Sequence, residues 1–290
     1  MARIIQNQRA IFKHTSDDIH KKTNFVQFKH KGELMPNLSF DLFLQFYNKY
    51  LDSPECACLS SRRELFASEN ALSRLHIICD KLIDNAKKFN LTAILDPEEI
   101  VRKHVIDSLL PLGFLLDEGF SPRSVLDVGC GAGFPLFPMA AVLSDISGTR
   151  FLGLDSTAKK ISHITETAKA AEMMSLSAVA GRAEELSHGK MREKYDLVTA
   201  RAVASLPILI ELCAPFVAKG GIFAALKSHV DGELENADLA APILGMENIR
   251  KIDYEIPGGD KRCLIIYRKL SDTPKNFPRR YSDISKHPLP

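Results

Sequence analysis

The chain has 290 residues, and 45% of them are apolar, which is enough for one large domain or for one core with an accessory domain. Its 38 Lys and Arg residues exceed its 36 Asp and Glu residues by only two, so a nucleic-acid surface would have to be a local patch. No apolar run approaches the roughly 20 residues of a membrane span, and no apolar signal segment opens the chain, so we expect a cytoplasmic protein without a membrane partner.

The six cysteines predict neither a disulfide framework nor a metal site. The sequence contains no C-x-x-C pair, and Cys56 and Cys58 stand too close together for the usual zinc pattern. A chain of this length does not depend on disulfides for its core, so we expect free thiols and no bound metal.

The first 119 residues divide into a basic extension and a helical region. Residues 1–35 carry more Lys and Arg than acids and have poor hydrophobic periodicity, so we interpret them as a disordered extension, with an RNA-contacting arm as the alternative. From 36 to 119, apolar residues recur three and four positions apart, which predicts a helical accessory region. Asp96 and Pro97 resemble an N-cap followed by proline at the first helical position, and the helix that they begin would carry His104.

From 120 to 270 the pattern alternates between strands and helices, which predicts a parallel sheet covered by helices on both faces. The predicted strands are 124–129, 150–155, 176–181, 195–201 and 220–227. The predicted helices are about 135–144, 157–173, 204–218 and 231–244. Residues 249–256 and 261–268 are joined so tightly that they must form an antiparallel hairpin at one edge. Residues 271–290 are a basic, proline-rich tail.

The sequence SVLDVGCGAGFP at 124–135 predicts a buried strand that opens into a glycine loop and then a helix. Gly129, Gly131 and Gly133 allow a tight turn and a close approach of backbone N–H groups to a ligand. Phe134 stands where the dinucleotide fingerprint G-x-G-x-x-G has its last glycine, which favours a compact nucleoside such as S-adenosylmethionine over NAD. A glycine turn without a ligand is the alternative.

Polar residues follow the next predicted strands at the edge where open α/β sheets bind ligands. Asp155 lies 22 residues after Gly133 and could accept hydrogen bonds from both ribose hydroxyls; an N-cap of the next helix is the alternative. Ala183 and Glu184 could read an adenine edge with a backbone amide and a carboxylate, or else form a solvated helix start.

The order and spacing of several segments resemble the bacterial small-subunit rRNA guanine-N7 methyltransferases, a family also called glucose-inhibited division protein B. The segments that carry the resemblance are 89–94, 104 with 107–109, 125–135, 154–156 with 159–160, 181–185, 199–204 and 277–280. The resemblance covers about 38–290 and leaves 1–35 without a counterpart. The chain departs from the family pattern at Leu136-Phe137, where Gly-Ile is usual, and at Ser228, where Gly is usual.

The resemblance implies a class I S-adenosylmethionine-dependent methyltransferase: a Rossmann-like α/β fold with a mostly parallel sheet, an antiparallel edge hairpin and an N-terminal helical region. It implies cofactor contacts at Gly129, Phe134, Ala183, Glu184 and Arg201. It also implies methyl transfer to N7 of a guanine in the 530 loop of 16S rRNA, on naked RNA, on an assembly intermediate or on the small ribosomal subunit.

The fourth predicted strand ends in Thr-Ala-Arg-Ala at 199–202, a segment that fits an acceptor that needs no base. Methyl transfer from a sulfonium requires an aligned donor and acceptor, and guanine N7 offers a lone pair without a proton. The segment is neither the Asn/Asp-Pro-Pro-aromatic clamp typical of adenine amino-group methylation nor the Pro-Cys or Thr-Cys nucleophile of pyrimidine C5 methylation. The positioning candidates are Arg201 and Lys227, because a charge after a buried strand is costly unless it is paired or used.

Arg201 could anchor the cofactor carboxylate or guanine O6, because N7 must stay free for the methyl group. The residues predicted to meet RNA are His104, Arg182, Lys227, Arg279 and Arg280. Each of these cations could instead be a solvated surface charge, and His104 a buried helix–helix hydrogen bonder. The functions left open are methyl transfer to a small molecule or protein, nicotinamide-dependent oxidoreduction and RNA binding by a catalytically silent ribosome factor.

Overall fold

The structure, a computed structural model, describes residues 29–30, 33–34, 38–145, 148–201 and 203–290. The chain divides into two compact units, Met1–Asn37 and Leu38–Pro290. In the first unit, two short strands, Lys29–His30 and Glu33–Leu34, pair antiparallel. The rest of the predicted N-terminal extension lies outside the described residues, and every element named below belongs to the second unit.

Helices follow Leu38, as the apolar spacing predicts. The long helices of this region are α1 (Phe40–Leu51), α2 (Glu69–Phe89) and α3 (Asp107–Asp117). Shorter helical segments lie at Pro54–Cys56, Ala57–Ser60, Arg63–Phe66 and Pro97–Ile100. Serine hydroxyls cap the first two long helices, since Ser39 accepts the N–H of Leu42 and Ser68 accepts the N–H of Ala71.

The segment that leads into α3 changes its winding. It begins as predicted, because Asp96 Oδ1 accepts the N–H of Glu99 at 2.9 Å and Pro97 takes the first helical position. Val101–Ile106 then form a π-helical turn, a wider winding that is frequent at functional sites. His104 in this turn and Asp107 after it are buried and contact residues of the sheet.

Seven strands form one sheet in the order β3-β2-β1-β4-β5-β7-β6. The strands are β1 (Ser124–Val128), β2 (Arg150–Asp155), β3 (Leu176–Ala180), β4 (Tyr195–Arg201), β5 (Val217–Lys227), β6 (Met246–Ile256) and β7 (Asp260–Lys269). The first five run parallel, and β7 is antiparallel to β5 and β6. The predicted parallel sheet with an antiparallel edge hairpin is confirmed.

Helices cover both faces of this sheet. The remaining helices are α4 (Leu136–Leu143), α5 (Ala158–Ala170), α6 (Leu206–Cys213), α7 (Leu234–Ile243) and α8 (Tyr281–Lys286), with short segments at Ala183–Leu186 and Ala214–Phe216. One buried cluster joins the N-terminal helices, α4 and α5 to one face, and a second joins α6, α7 and α8 to the other. The sheet order reverses between β1 and β4, which places a ligand-binding crevice at their carboxyl ends.

Most element boundaries lie within three residues of the prediction, and two of the shifts have an identifiable cause. The helix predicted at 204–218 ends at Cys213, because Pro215 lacks the N–H that would continue it, and β5 already begins at Val217. Strand β6 begins at Met246, three residues before its predicted start. Gly245 adopts a left-handed conformation (φ +73°), which ends the preceding helix and allows the strand to begin at the next residue.

Candidate functional site

A cavity of about 390 Å³ opens at the carboxyl ends of β1, β2 and β3. We call it the nucleoside cavity. Its lining brings together Gly129, Asp155, Ala183 and Glu184, which were predicted from three separate segments, and it also includes Tyr281 from the C-terminal tail. The position is the edge at which open α/β sheets bind ligands, and the volume suits a small organic ligand.

All three glycines of the loop adopt positive φ angles, +72° at Gly129, +53° at Gly131 and +94° at Gly133. A Cβ at Gly129 would lie 2.5 Å from a methyl group of Val203, and a Cβ at Gly133 would lie 2.1 Å from the ring of Phe137. Gly129 therefore leaves room for the Val203 side chain at the cavity wall, and Gly133 leaves room for a buried aromatic ring. Phe137, one of the departures from the family pattern, fills that space.

The Asp155 carboxylate joins the glycine loop to the start of α5. Its Oδ2 accepts the N–H of Gly131 at 3.1 Å, and its Oδ1 accepts the N–H of Thr157 at 2.8 Å. The ammonium of Lys160 lies 3.8 Å from Oδ2. Asp155 therefore also plays the alternative role predicted for it, at the start of the helix. Because each carboxylate oxygen has a second lone-pair direction and the side chain lines the cavity, Asp155 can still accept hydrogen bonds from a ligand.

Ala183 and Glu184 begin the short helix after β3. The Glu184 side chain is only 12% exposed, whereas the Arg182 side chain is 58% exposed and lies 3.8 Å away. Arg182 and Glu184 line both the nucleoside cavity and an adjacent opening of about 670 Å³, which we call the tail cleft. These two side chains therefore stand between the cavity and the tail cleft.

Arg201, His104 and Phe134 form a cluster at the carboxyl end of β4. The His104 ring stacks on Phe134 with centroids 4.8 Å apart, and the guanidinium carbon of Arg201 lies 5.7 Å from the Phe134 centroid. Because a guanidinium can only donate, Nη2 of Arg201 donates to Nδ1 of His104 at 3.4 Å. Nε2 of His104 then carries the proton and donates to Thr92 Oγ1 at 3.0 Å.

His104 is neutral in this environment. Burial, followed by the charge of Arg201, lowers the pKa of His104 to about 3. The hydrogen bonds to Thr92 and Arg201 are consistent with the predicted alternative of a buried hydrogen bonder, and contact of His104 with RNA stays a prediction.

Asp107 was not predicted as a site residue, yet it holds Arg201. Its Oδ2 lies 3.5 Å from Nη1 of Arg201, and Nε of Arg262 donates to its two oxygens at 3.0 and 3.1 Å. The three-residue spacing between His104 and Asp107, one helical turn, is the sequence signal for a shared role. Arg262 lies 155 residues further along the chain and gives no local signal.

Asp127 at the end of β1 is fully buried. Thr199 Oγ1 donates to its Oδ1 at 2.8 Å, and its Oδ2 has no hydrogen-bond partner among the residues that the structure describes. Burial raises the pKa of Asp127 to about 7, against the hydrogen bond from Thr199 and the charge of Arg201. A second titratable group therefore lies beneath the glycine loop, apart from the cavity lining.

Two of the cations predicted to meet phosphates are engaged in ion pairs of the protein. Lys227 Nζ lies 2.8 Å from Oε2 of Glu233 and donates to the carbonyl of Ala204 at 3.1 Å. Arg279 donates to both oxygens of the fully buried Glu211, at 2.9 and 2.6 Å. Binding of RNA by either side chain would have to compete with these pairs.

The other two predicted cations, Arg182 and Arg280, line the tail cleft. Arg280 is exposed and has no ion-pair partner within the described part of the chain. Contact of either residue with RNA remains a prediction.

The described residues contain no group of three or more His, Cys, Asp or Glu side chains that could hold a metal ion. The six cysteines are free thiols, as predicted. In the same described ranges, no helix has the length and apolar character of a membrane span.

The family model for rRNA small subunit methyltransferase G matches residues 71–253. The ribosomal RNA small subunit methyltransferase G of Acetivibrio thermocellus is 40% identical over 212 residues, which is 72% of this chain and 85% of that protein. The enzyme of the same name from Clostridium perfringens is 36% identical over 244 residues, 83% of this chain and 99% of that protein. An O-methyltransferase from Bacillus cereus, solved in complex with SAH, covers 67% of this chain and 90% of its own, with 17% identity and a TM-score of 0.48.

The sheet order with its antiparallel β7, together with the N-terminal helices, confirms the predicted class I methyltransferase fold. The family match covers more than half of the chain, and the two relatives are 40% and 36% identical over 72% and 83% of it. This chain belongs to the rRNA small subunit methyltransferase G family.

Proposed function

We propose that this protein transfers a methyl group from S-adenosylmethionine to N7 of a guanine in the 530 loop of 16S rRNA. Family membership supports a methyltransferase, and the names of the relatives support small-subunit ribosomal RNA as the substrate class. The observation that carries the proposal in this chain is the nucleoside cavity, where the glycine loop, Asp155 and Glu184 converge at the ends of adjacent strands.

The residues of the cavity fit the nucleoside part of S-adenosylmethionine, which supplies an electrophilic methyl group when bound. Asp155 has acceptor capacity left for ribose hydroxyls, and Gly129 offers backbone without a side chain at the cavity lining. Ala183 and Glu184 offer a backbone amide and a shielded carboxylate for the adenine edge. These residues bind and orient the donor, which is the main requirement of an in-line displacement.

Arg201 is held in place on two sides. Asp107 lies 3.5 Å from Nη1, and the neutral His104 accepts from Nη2 at 3.4 Å. A guanidinium fixed in this way is suited to the carboxylate of the donor or to guanine O6. In either role, N7 of the guanine stays free to receive the methyl group.

The titratable groups near Arg201 support an acceptor that carries no proton. His104 has a pKa of about 3 and uses both ring nitrogens in hydrogen bonds, so it is a poor base. Asp127 has a pKa raised to about 7, but it is fully buried. An amine or hydroxyl acceptor would need a base within reach to take its proton, whereas guanine N7 needs none.

The test is methylation with labelled S-adenosylmethionine of deproteinised 16S rRNA and, separately, of small ribosomal subunits. Mass spectrometry of nuclease fragments should locate one added methyl group at N7 of a guanine in the 530 loop. Arg201→Ala should lower the rate at least about tenfold, because a charge-assisted contact is lost. Phe40→Ala is the matched control, since Phe40 is exposed and lines neither the cavity nor the tail cleft.

Three outcomes would contradict the proposal. The methyl group could be found elsewhere in the rRNA, the label could enter only protein or small molecules, or Arg201→Ala could methylate as fast as the wild type. The same measurement on rRNA from cells with and without the gene gives an independent check, because the 530 loop should lose its modification only when the gene is absent.

A further inference from the structure

The C-terminal tail is anchored on both sides of Tyr281. Two residues before it, Arg279 binds the fully buried carboxylate of Glu211 through both oxygens. Three residues after it, Ile284 is fully buried in the second hydrophobic cluster. The backbone position of Tyr281 is therefore fixed by contacts on either side of it.

The side chain of Tyr281 remains 39% exposed at this fixed position. It lines both the nucleoside cavity and the tail cleft, together with Arg182 and Glu184. Its hydroxyl has no hydrogen-bond partner, and its ring no aromatic partner, in the part of the chain that the structure describes. The fold thus holds a large aromatic side chain at a cavity wall without using it in the core.

The lining of the nucleoside cavity has polar and apolar parts. Asp155 and Lys160 supply charged groups, whereas Val203, Leu212 and Tyr281 supply apolar and aromatic surface. A nucleoside has a matching division between its polar ribose and its flat base. An aromatic side chain stacks favourably on a flat, polarizable base of this kind.

We propose that Tyr281 is a cofactor-contacting residue whose ring covers one side of the adenine base of S-adenosylmethionine. The inference rests on the proposed function for the identity of the ligand. It gives the C-terminal tail a part in cofactor binding, in addition to the glycine loop and the strand ends.

A fluorescence experiment tests the contact directly, because the chain contains no tryptophan. Tyr281→Trp places a single indole at the cavity, and titration with S-adenosylhomocysteine should change its emission in a saturable way. Phe40→Trp is the matched control, at a position of similar exposure (42%) outside the cavity, and its emission should stay constant. Unchanged emission of Tyr281→Trp, in a sample that calorimetry shows to bind the ligand, would overturn the inference.

Affinity measurements separate a ring contact from a structural role. Tyr281→Ala should weaken the binding of S-adenosylhomocysteine about five- to tenfold, the usual contribution of one aromatic contact, and Tyr281→Phe should bind like the wild type. The melting temperature of Tyr281→Ala should stay unchanged, because the anchors of the tail lie elsewhere.

The outcomes also separate this inference from the proposed function. A wild-type protein that does not bind S-adenosylhomocysteine would count against the proposed function. If the wild type binds S-adenosylhomocysteine and Tyr281→Ala binds it equally well, only the role of Tyr281 is contradicted. Equal losses of affinity in Tyr281→Ala and Tyr281→Phe would contradict a contact made by the ring.

Discussion

Three buried titratable residues lie around the glycine loop: Asp127 precedes it, His104 stacks on Phe134, and His163 packs against Phe137. Burial raises the pKa of Asp127 to about 7, and burial lowers the pKa of His104 to about 3 and that of His163 to about 4. The histidines stabilise the fold fully above pH 6.5, and this contribution is lost as the pH falls toward their folded pKa values. The contribution of Asp127 to stability has the opposite pH dependence, because its folded pKa is raised: it is lost as the pH rises.

Asp127→Asn should isolate the contribution of the buried acid. Between about pH 4 and pH 7 the unfolded chain releases the Asp127 proton while the folded chain keeps it, so the free energy of unfolding falls by about 1.4 kcal/mol per pH unit from this group. Asparagine keeps an acceptor for Thr199 and does not titrate. The unfolding free energy of the variant should therefore rise relative to that of the wild type over this range, and the difference should level off above pH 7.

Denaturant unfolding of both proteins from about pH 4 to pH 8 checks this prediction. The two histidines titrate in both proteins, so their contributions cancel in the difference. A difference in unfolding free energy that does not vary with pH would show that Asp127 has an ordinary pKa.

The helices and strands were largely predictable because their signals are local. Near-continuous apolar runs predicted the five parallel strands, and the Asp96-Pro97 pair predicted a helix start that the structure confirms. The largest boundary shift lies at Pro215, where a helix ends five residues before its predicted end, whereas at Gly245 the next strand begins three residues before its predicted start. The π-helical turn before Asp107 has no such local marker.

The partners of the charged residues were not predictable, because they depend on the order of elements in space. Arg279 lies 68 residues from Glu211, and only the packing of the tail against α6 brings them together. In the sequence Arg279 is simply one more cation in a basic tail, which is why it was predicted to meet phosphate. The pairing of Lys227 with Glu233 is nearer in sequence, but it depends on the turn that follows β5.

The tail element should depend on the pair between Arg279 and Glu211. Arg279→Ala leaves the fully buried Glu211 without its cation, which should lower the free energy of unfolding by about 3 kcal/mol. Arg279→Lys keeps the charge but not the two-pronged hydrogen bond, so its loss should be smaller. Thermal and denaturant unfolding measure both effects, and an Arg279→Ala variant as stable as the wild type would show that the pair does not anchor the tail.

For the whole molecule, the formal net charge of +2 leaves little general attraction for RNA. Several cations are also used within the protein: Arg102 binds Glu99 and Asp260, and Arg262 binds Asp107. Affinity for rRNA should therefore come from a few unpaired cations near the site, and its dependence on salt should be shallow.

Arg280 is the sharpest test of this view, because it adjoins Arg279 but is exposed and lacks an ion-pair partner among the described residues. Arg280→Ala should leave the melting temperature unchanged, weaken rRNA binding and reduce the slope of log K against log salt by about one. Lys275→Ala, which removes an exposed tail cation that lines neither the cavity nor the tail cleft, should keep the wild-type slope. Binding should be measured at several salt concentrations. Equal slopes for Arg280→Ala and the wild type would place the RNA away from the tail cleft, whereas a reduced slope only in Arg280→Ala would place a phosphate at the tail cleft.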